Sequence, residues 1–149
     1  MKKNLIRICV ATLVLCTTVA FPTFATALPD TTSLSTLRAS EYISRSSIKV
    51  SREGNGEFAI TFSIYGTGRM TRIGAKSIVI SEKVGSRWNE VISYDQYDSG
   101  MSRTNATSYA NTIYFNGDIG TEYCFKITVF AQDFSGSDTE SETFTLIAV

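Results

Sequence analysis

The sequence predicts an all-β domain, a sandwich of about seven strands, and three observations carry that prediction. Two runs alternate apolar and polar residues with period two, short Gly-containing turns separate the apolar segments, and no segment shows the 3.6-residue apolar spacing of a helix. The alternation is clearest at Phe58, Ile60, Phe62 and Ile64, which interleave with Ala59, Thr61, Ser63 and Tyr65. Successive strand side chains point to opposite faces, so the first set is predicted to face a core. Tyr123, Phe125, Ile127, Val129 and Ala131 repeat the pattern, with Glu122, Cys124, Lys126, Thr128, Phe130 and Gln132 on the other face.

Turn chemistry divides the rest. Gly54-Asn55-Gly56 joins a strand at 47–52 to the one starting at Glu57, because Asn and Gly tolerate the positive φ of a tight hairpin. Gly85-Ser86 separates a strand at 76–84 from one at 87–94, and Gly136 closes a hairpin between the Tyr123 strand and a last strand at 139–149. A strand at 109–115 completes the seven. Gly66-Thr67-Gly68 reads as a turn, since neither a Lys-Ser/Thr pair nor a helix follows to make a phosphate loop. Residues 70–73 are expected to cap one end of the core.

Residues 1–27 are predicted to be a cleavable secretory signal. Lys2, Lys3 and Arg7 form its positive start, residues 8–21 are uncharged and mostly apolar, and Ala25-Thr26-Ala27 supplies the small-x-small site for a peptidase, with Ala25 and Ala27 as the recognised pair. An uncleaved anchor is the alternative, since residues 8–28 lack charge and approach the ~20 residues of a spanning helix. Pro22 and the threonines at 12, 17, 18 and 23 oppose it. Cys16 would be the lipidation cysteine of a lipoprotein, but Leu15 precedes it where a small residue belongs. Residues 28–39 form a Ser/Thr-rich tail expected to be flexible, and residues 40–149 form the folded domain.

Cleavage after Ala27 changes the balance of charge. It removes three of the 14 basic residues and none of the 14 acidic ones, leaving a chain acidic by three. No Lys/Arg cluster marks a nucleic-acid or anionic-membrane surface, so those partners are not expected, nor is stable membrane insertion after cleavage. Cys9 and Cys16 leave with the signal, and Cys124 remains as a lone thiol expected to be buried and inert. Export without a disulfide fits a Gram-positive bacterial envelope or its medium.

Gly120-Thr121-Glu122-Tyr123, followed by alternating Phe125, Ile127 and Val129, then Gly136 and a Ser/Thr-rich last strand, resembles the end of a fibronectin type III domain. The resemblance implies an immunoglobulin-like sandwich in which Tyr123 forms the tyrosine corner, its hydroxyl bonding the chain just upstream. Gly66-Thr67-Gly68-Arg69-Met70, Ile73-Gly74-Ala75, the Glu82-Lys83 to Trp88 stretch and Phe134-Ser135-Gly136-Ser137-Asp138-Thr139 are similar to a family of small secreted proteins from Gram-positive bacteria whose function is unknown. That likeness implies export and a sandwich, and no activity or site.

The chain contains no histidine, which removes Ser-His-Asp and Cys-His nucleophile pairs and the usual zinc ligands. No catalytic residue, metal site or cofactor is assigned from the sequence. Asp95 and Asp98, and Asp133 and Asp138, lie in Gly/Ser loops that could ligate calcium, but neither matches an EF-hand, and turns whose carboxylates bond their own backbone are the favoured account. Asn105-Ala106-Thr107 matches a glycosylation triplet that bacterial export rarely uses.

The candidate ligand-binding residues are Tyr94, Asp95, Gln96, Tyr97 and Asp98, where flat rings sit beside polar groups in a Gly-terminated loop, the chemistry of sugar stacking. Trp88 is expected in the core, and of Trp88, Tyr94 and Tyr97 the last is the ring expected to be exposed. The leading function class is a secreted, non-catalytic binding or interaction module whose partner is an extracellular glycan, an envelope polymer or a protein. A secreted inhibitor or signalling protein is second, and a small hydrolase using paired carboxylates third.

Overall fold

The computed structural model describes residues 31–33 and 40–149, so the predicted signal segment and the predicted cleavage site at Ala25 and Ala27 lie outside the described residues. The chain is all-β. Seven strands run β1 (Thr31–Ser33), β2 (Ile43–Gly54), β3 (Glu57–Val84), β4 (Arg87–Asp95), β5 (Ser102–Asn116), β6 (Glu122–Gln132) and β7 (Ser137–Ile147), and there is no helix among the described residues. Within the 28–39 segment, Thr31–Ser33 pairs with β2 opposite Val50, Lys49 and Ile48.

Every ladder is antiparallel, and together they make one curled sheet. Its axis is the 28-residue β3. The first part of β3 pairs with β2 on one side and β5 on the other; the second part pairs with β6 on one side and with the start of β5, then β4, on the other. Among the described residues β7 pairs only with β6. The curl brings β2 against β6 and β7 without a ladder between them. Polar bonds join the halves: the Gly56 N–H donates to Val149 O at 2.9 Å, and the buried Ser46 hydroxyl donates to the Glu140 carboxylate.

The curl is built by irregularities in β3. Between Tyr65 and Met70 the register with β5 slips, and the extra residues are held instead by residues 41–42: the Thr67 N–H donates to Tyr42 O at 3.0 Å and Thr67 Oγ1 to Glu41 O at 2.8 Å. Residues 66–68 are therefore a bulge inside a continuing strand, correcting the predicted turn. Met70 and Ile73 are buried within the same strand, so residues 70–73 belong to the sheet and are not a separate cap. Gly74 lets β3 and the start of β5 approach, since a Cβ there would stand 2.3 Å from Met101 O.

Two of the three predicted hairpins form as two-residue turns. Asn55 and Gly56 both have positive φ, at 53° and 81°, the type I′ arrangement, while Gly85 at 63° opens the β3–β4 turn. Phe58, Ile60, Phe62 and Ile64 are fully buried, as are Phe125, Ile127 and Val129. Phe58 joins the two sets, its ring 4.9 Å from Phe125 and 5.8 Å from Tyr123. The Asp118 N–H donates to the Tyr123 hydroxyl at 2.9 Å, and Gly117 lies so close that a Cβ would be 2.5 Å from the Tyr123 ring.

Three placements correct the sequence expectations. Trp88 is 43% exposed, because β4 bulges at Val91: Ile80 pairs with Ile92 but Ser81 pairs with Glu90, which turns Trp88 to the face opposite Ile92. There it lies beside Lys83, whose Nζ is 5.7 Å from the indole and 2.5 Å from Glu122 Oε2. Phe130, expected on the polar face of β6, is buried; the register sets it opposite Gly74, which has no side chain to compete for the space. Cys124 is a free, half-buried thiol and not a core residue, since it stands on the outer face of β6 between Ser81 and Thr145.

Candidate functional site

The β4–β5 loop is held rigidly from within. Asp95 Oδ1 accepts the Tyr97 N–H at 2.7 Å, Asp98 Oδ2 accepts the Asp95 N–H at 2.8 Å, and the Asp98 N–H returns a bond to Asp95 O at 3.1 Å. Short Asp side chains favour such local bonds to nearby backbone. Met101 then plugs the loop into the core, fully buried. Gly100, at φ 80°, turns its carbonyl to accept from Tyr109 Oη at 3.0 Å and Asn111 Nδ2 at 2.8 Å.

This architecture separates the five candidate residues. Tyr94 packs half-buried against the core, its parity with Ile92 placing it inward. Asp95 and Asp98 accept the loop's own backbone N–H groups. Gln96 contributes its backbone carbonyl, which accepts from Ser102 Oγ at 2.6 Å and from Arg72 at 3.4 Å. Tyr97 is the ring presented outward, 72% exposed, with the Arg72 guanidinium carbon 4.9 Å from its ring centroid. Arg72 also donates to Ser102 Oγ at 3.1 Å, so the cation beneath the ring is fixed by two oxygens.

Beside this stack lies a groove of about 370 Å³, lined by Arg69, Met70, Thr71, Thr104, Asn105 and Phe134. Arg72 pairs with Thr104 across the β3–β5 ladder, which makes stack and groove neighbours. Arg69 is held over the groove by Asn105, donating to its backbone oxygen at 3.1 Å and to Oδ1 at 3.3 Å; Asn105 itself adopts φ 53°. Phe134, at the tip of the β6–β7 hairpin, is 99% exposed. The groove residues were not assigned to a binding site from the sequence. One signal was present: Phe134 is a large apolar side chain in the polar turn Asp133-Phe134-Ser135-Gly136, outside any strand period.

The second acidic pair does not converge. Asp133 Oδ1 accepts from the Ser135 N–H at 2.6 Å, Ser135 Oγ at 2.7 Å and the Gly136 N–H at 3.1 Å, closing the hairpin. Asp138 Oδ2 accepts from Ser40 Oγ at 2.5 Å and the Tyr42 N–H at 2.8 Å, tying the residues just before β2 to β7. These bonds, the Ser135 hydroxyl foremost for Asp133 and the Ser40 hydroxyl foremost for Asp138, hold both carboxyls below the usual range. Among the described residues no three His, Cys, Asp or Glu side chains gather as a metal site.

The chain matches no family model, no curated protein and no solved structure.

Proposed function

We propose that the chain is exported after cleavage behind Ala27 and that its folded part is a non-catalytic extracellular binding module, an immunoglobulin-like (fibronectin type III-like) β-sandwich that holds a glycan or other envelope polymer at the Tyr97 corner. The sandwich is supported by the facing of β2 with β6 and β7 and by the Tyr123 hydroxyl bonded five residues upstream. Membership in the family of small secreted Gram-positive proteins belongs to the same reading and rests on the sequence segments alone.

The observation that carries the ligand class is Tyr97, an exposed ring held over Arg72, whose strand partner Thr104 lines the neighbouring groove. A ring ordered before binding loses little conformational freedom when a sugar face stacks on it. Arg69 and Arg72 are held by neutral oxygens of Asn105, Gln96 and Ser102, which leaves their charge to favour an anionic polymer. Thr71, Thr104 and Asn105 supply groups for hydroxyls.

The test is retention of the purified protein on intact cells, cell-wall fractions and a glycan panel. The expected result is salt-sensitive retention on an anionic envelope polymer with no fragments released. Phe134 favours a protein partner as the second reading, since a fully exposed ring at a hairpin tip is the kind of anchor that fills a partner's pocket. Co-purification of one protein, without polymer retention, would select it.

A further inference from the structure

The edges of the curled sheet are not alike. β4 carries Arg87, Glu90 and Asp95 and is interrupted by the bulge at Val91, and β7 carries Asp138, Glu140 and Glu142. β2 carries Arg45, Lys49, Arg52 and Glu53 and is partly covered by β1. Charges and bulges of this kind block pairing with other chains. β5 has neither along most of its length: from Ala106 to Asn116 it contains no charge, proline or glycine, and its ladder with β3 is unbroken from Ser108 to Asn116. Among the described residues β5 pairs only with β3, so every second residue turns its N–H and C=O toward an unanswered edge.

The side chains on the inner face of this strand are also incompletely covered. Tyr109, Asn111, Ile113 and Phe115 stand opposite the buried Ile64, Phe62, Ile60 and Phe58, yet each is only half-buried. β2, β3 and β6 bury their apolar inner residues; β5 does not.

We infer that β5 is a self-pairing edge, and that two copies of this chain join antiparallel through it about a two-fold axis at Asn111. The midpoint of the uncharged stretch 106–116 is Asn111, so this register sets the whole neutral segment against itself. Tyr109 then faces Ile113 of the second copy, an aromatic beside a β-branched residue on the core-facing side. Ala110 faces Thr112, and Ser108 faces Tyr114. Inner positions meet inner positions, so the half-buried residues of each copy cover those of the other, and Arg103 falls outside the paired stretch. The interface is isologous and closed, leaving only residues 102–105 of β5 beyond the pairing.

The test is the mass in solution, by sedimentation over a wide concentration range, of the protein recovered from expression of the full chain. A dimer is expected. Ala110→Lys adds a charge on the outer face, opposite Ser63 and away from the core, and near its own copy across the axis. It should raise the dimer dissociation constant at least about tenfold without lowering the thermal midpoint measured at concentrations where both proteins are monomeric, whereas Thr143→Lys on β7 should leave the dissociation constant unchanged. A wild-type protein that stays monomeric throughout overturns the inference and gives the edge to an extended peptide of another chain. A dimer indifferent to Ala110→Lys overturns it equally.

Discussion

Asp138 and Ser40 stand 98 residues apart in sequence and meet at 2.5 Å, with the Tyr42 N–H completing the carboxylate's bonds at 2.8 Å. The contact fastens the residues just before β2 to the start of β7, across the two halves of the curled sheet. Because both donors favour the ionised carboxyl, its folded pKa lies below the ordinary value of 3.8. The resulting stabilisation is complete above the unfolded-chain pKa and is lost as pH falls through the folded one. Denaturant unfolding should therefore show stability that holds down to about pH 4 and declines below it. Asp138→Asn should lower stability at neutral pH and flatten the acid decline; an unchanged slope would remove Asp138 from this role. Asp133, lowered by Ser135, contributes a decline of the same sign that survives in the variant.

Phe62 is fully buried on β3, opposite Ile48 on one side and Asn111 on the other, with Tyr109 6.1 Å from its ring. Phe62→Ala should cost about 3 to 5 kcal/mol, from lost transfer energy and the cavity left behind. For a domain of ordinary stability that is a large share of the total. A loss under about 1 kcal/mol in a urea titration would mean that the neighbouring strands collapse into the space.

Trp88 is the chain's only tryptophan, so its emission reports one place. With the indole turned outward by the Val91 bulge, native protein should emit at long wavelength and be quenched by a soluble quencher almost as readily as unfolded protein. A blue-shifted, protected signal would put Trp88 back in the core. Deleting Val91 should restore strict alternation and shift the emission blue, if the strand still pairs.

Tyr97 carries the functional prediction. Tyr97→Ala should weaken polymer retention by about 1 kcal/mol or more, a fivefold or larger loss, while leaving the unfolding midpoint unchanged, as expected of an exposed contact residue. Arg72→Gln should weaken retention as well, because the ring loses the cation that orients it. Retention unaltered in both variants would move the contact away from this corner.

Much of the fold was legible in local sequence. The period of two at 58–64 and 123–131 marked the buried faces, and Asn55-Gly56 and Gly85 marked tight turns, because alternation and positive φ are properties of neighbouring residues. Tyr97 was legible for the same reason, as a ring in a polar loop with no partner in the strand period. The neighbouring Asp95 and Asp98 illustrate the limit: residue type marked them as polar groups, and only the loop geometry shows that they accept its backbone N–H groups.

What the sequence by itself determined is therefore the all-β character, the hairpins and the core faces of the two clearest strands. What only the tertiary structure decided is where strands bend and what meets at the bends. Gly66 and Gly68 suit a turn or a bulge equally, and the contacts of Thr67 with residues 41–42 select the bulge. One extra residue at Val91 moves Trp88 from one face to the other, a change set by register with β3 and invisible in the period of β4 alone. The groove joins residues from β3, β5 and the β6–β7 turn, some 65 positions apart between Arg69 and Phe134, and only the curled sheet brings them together.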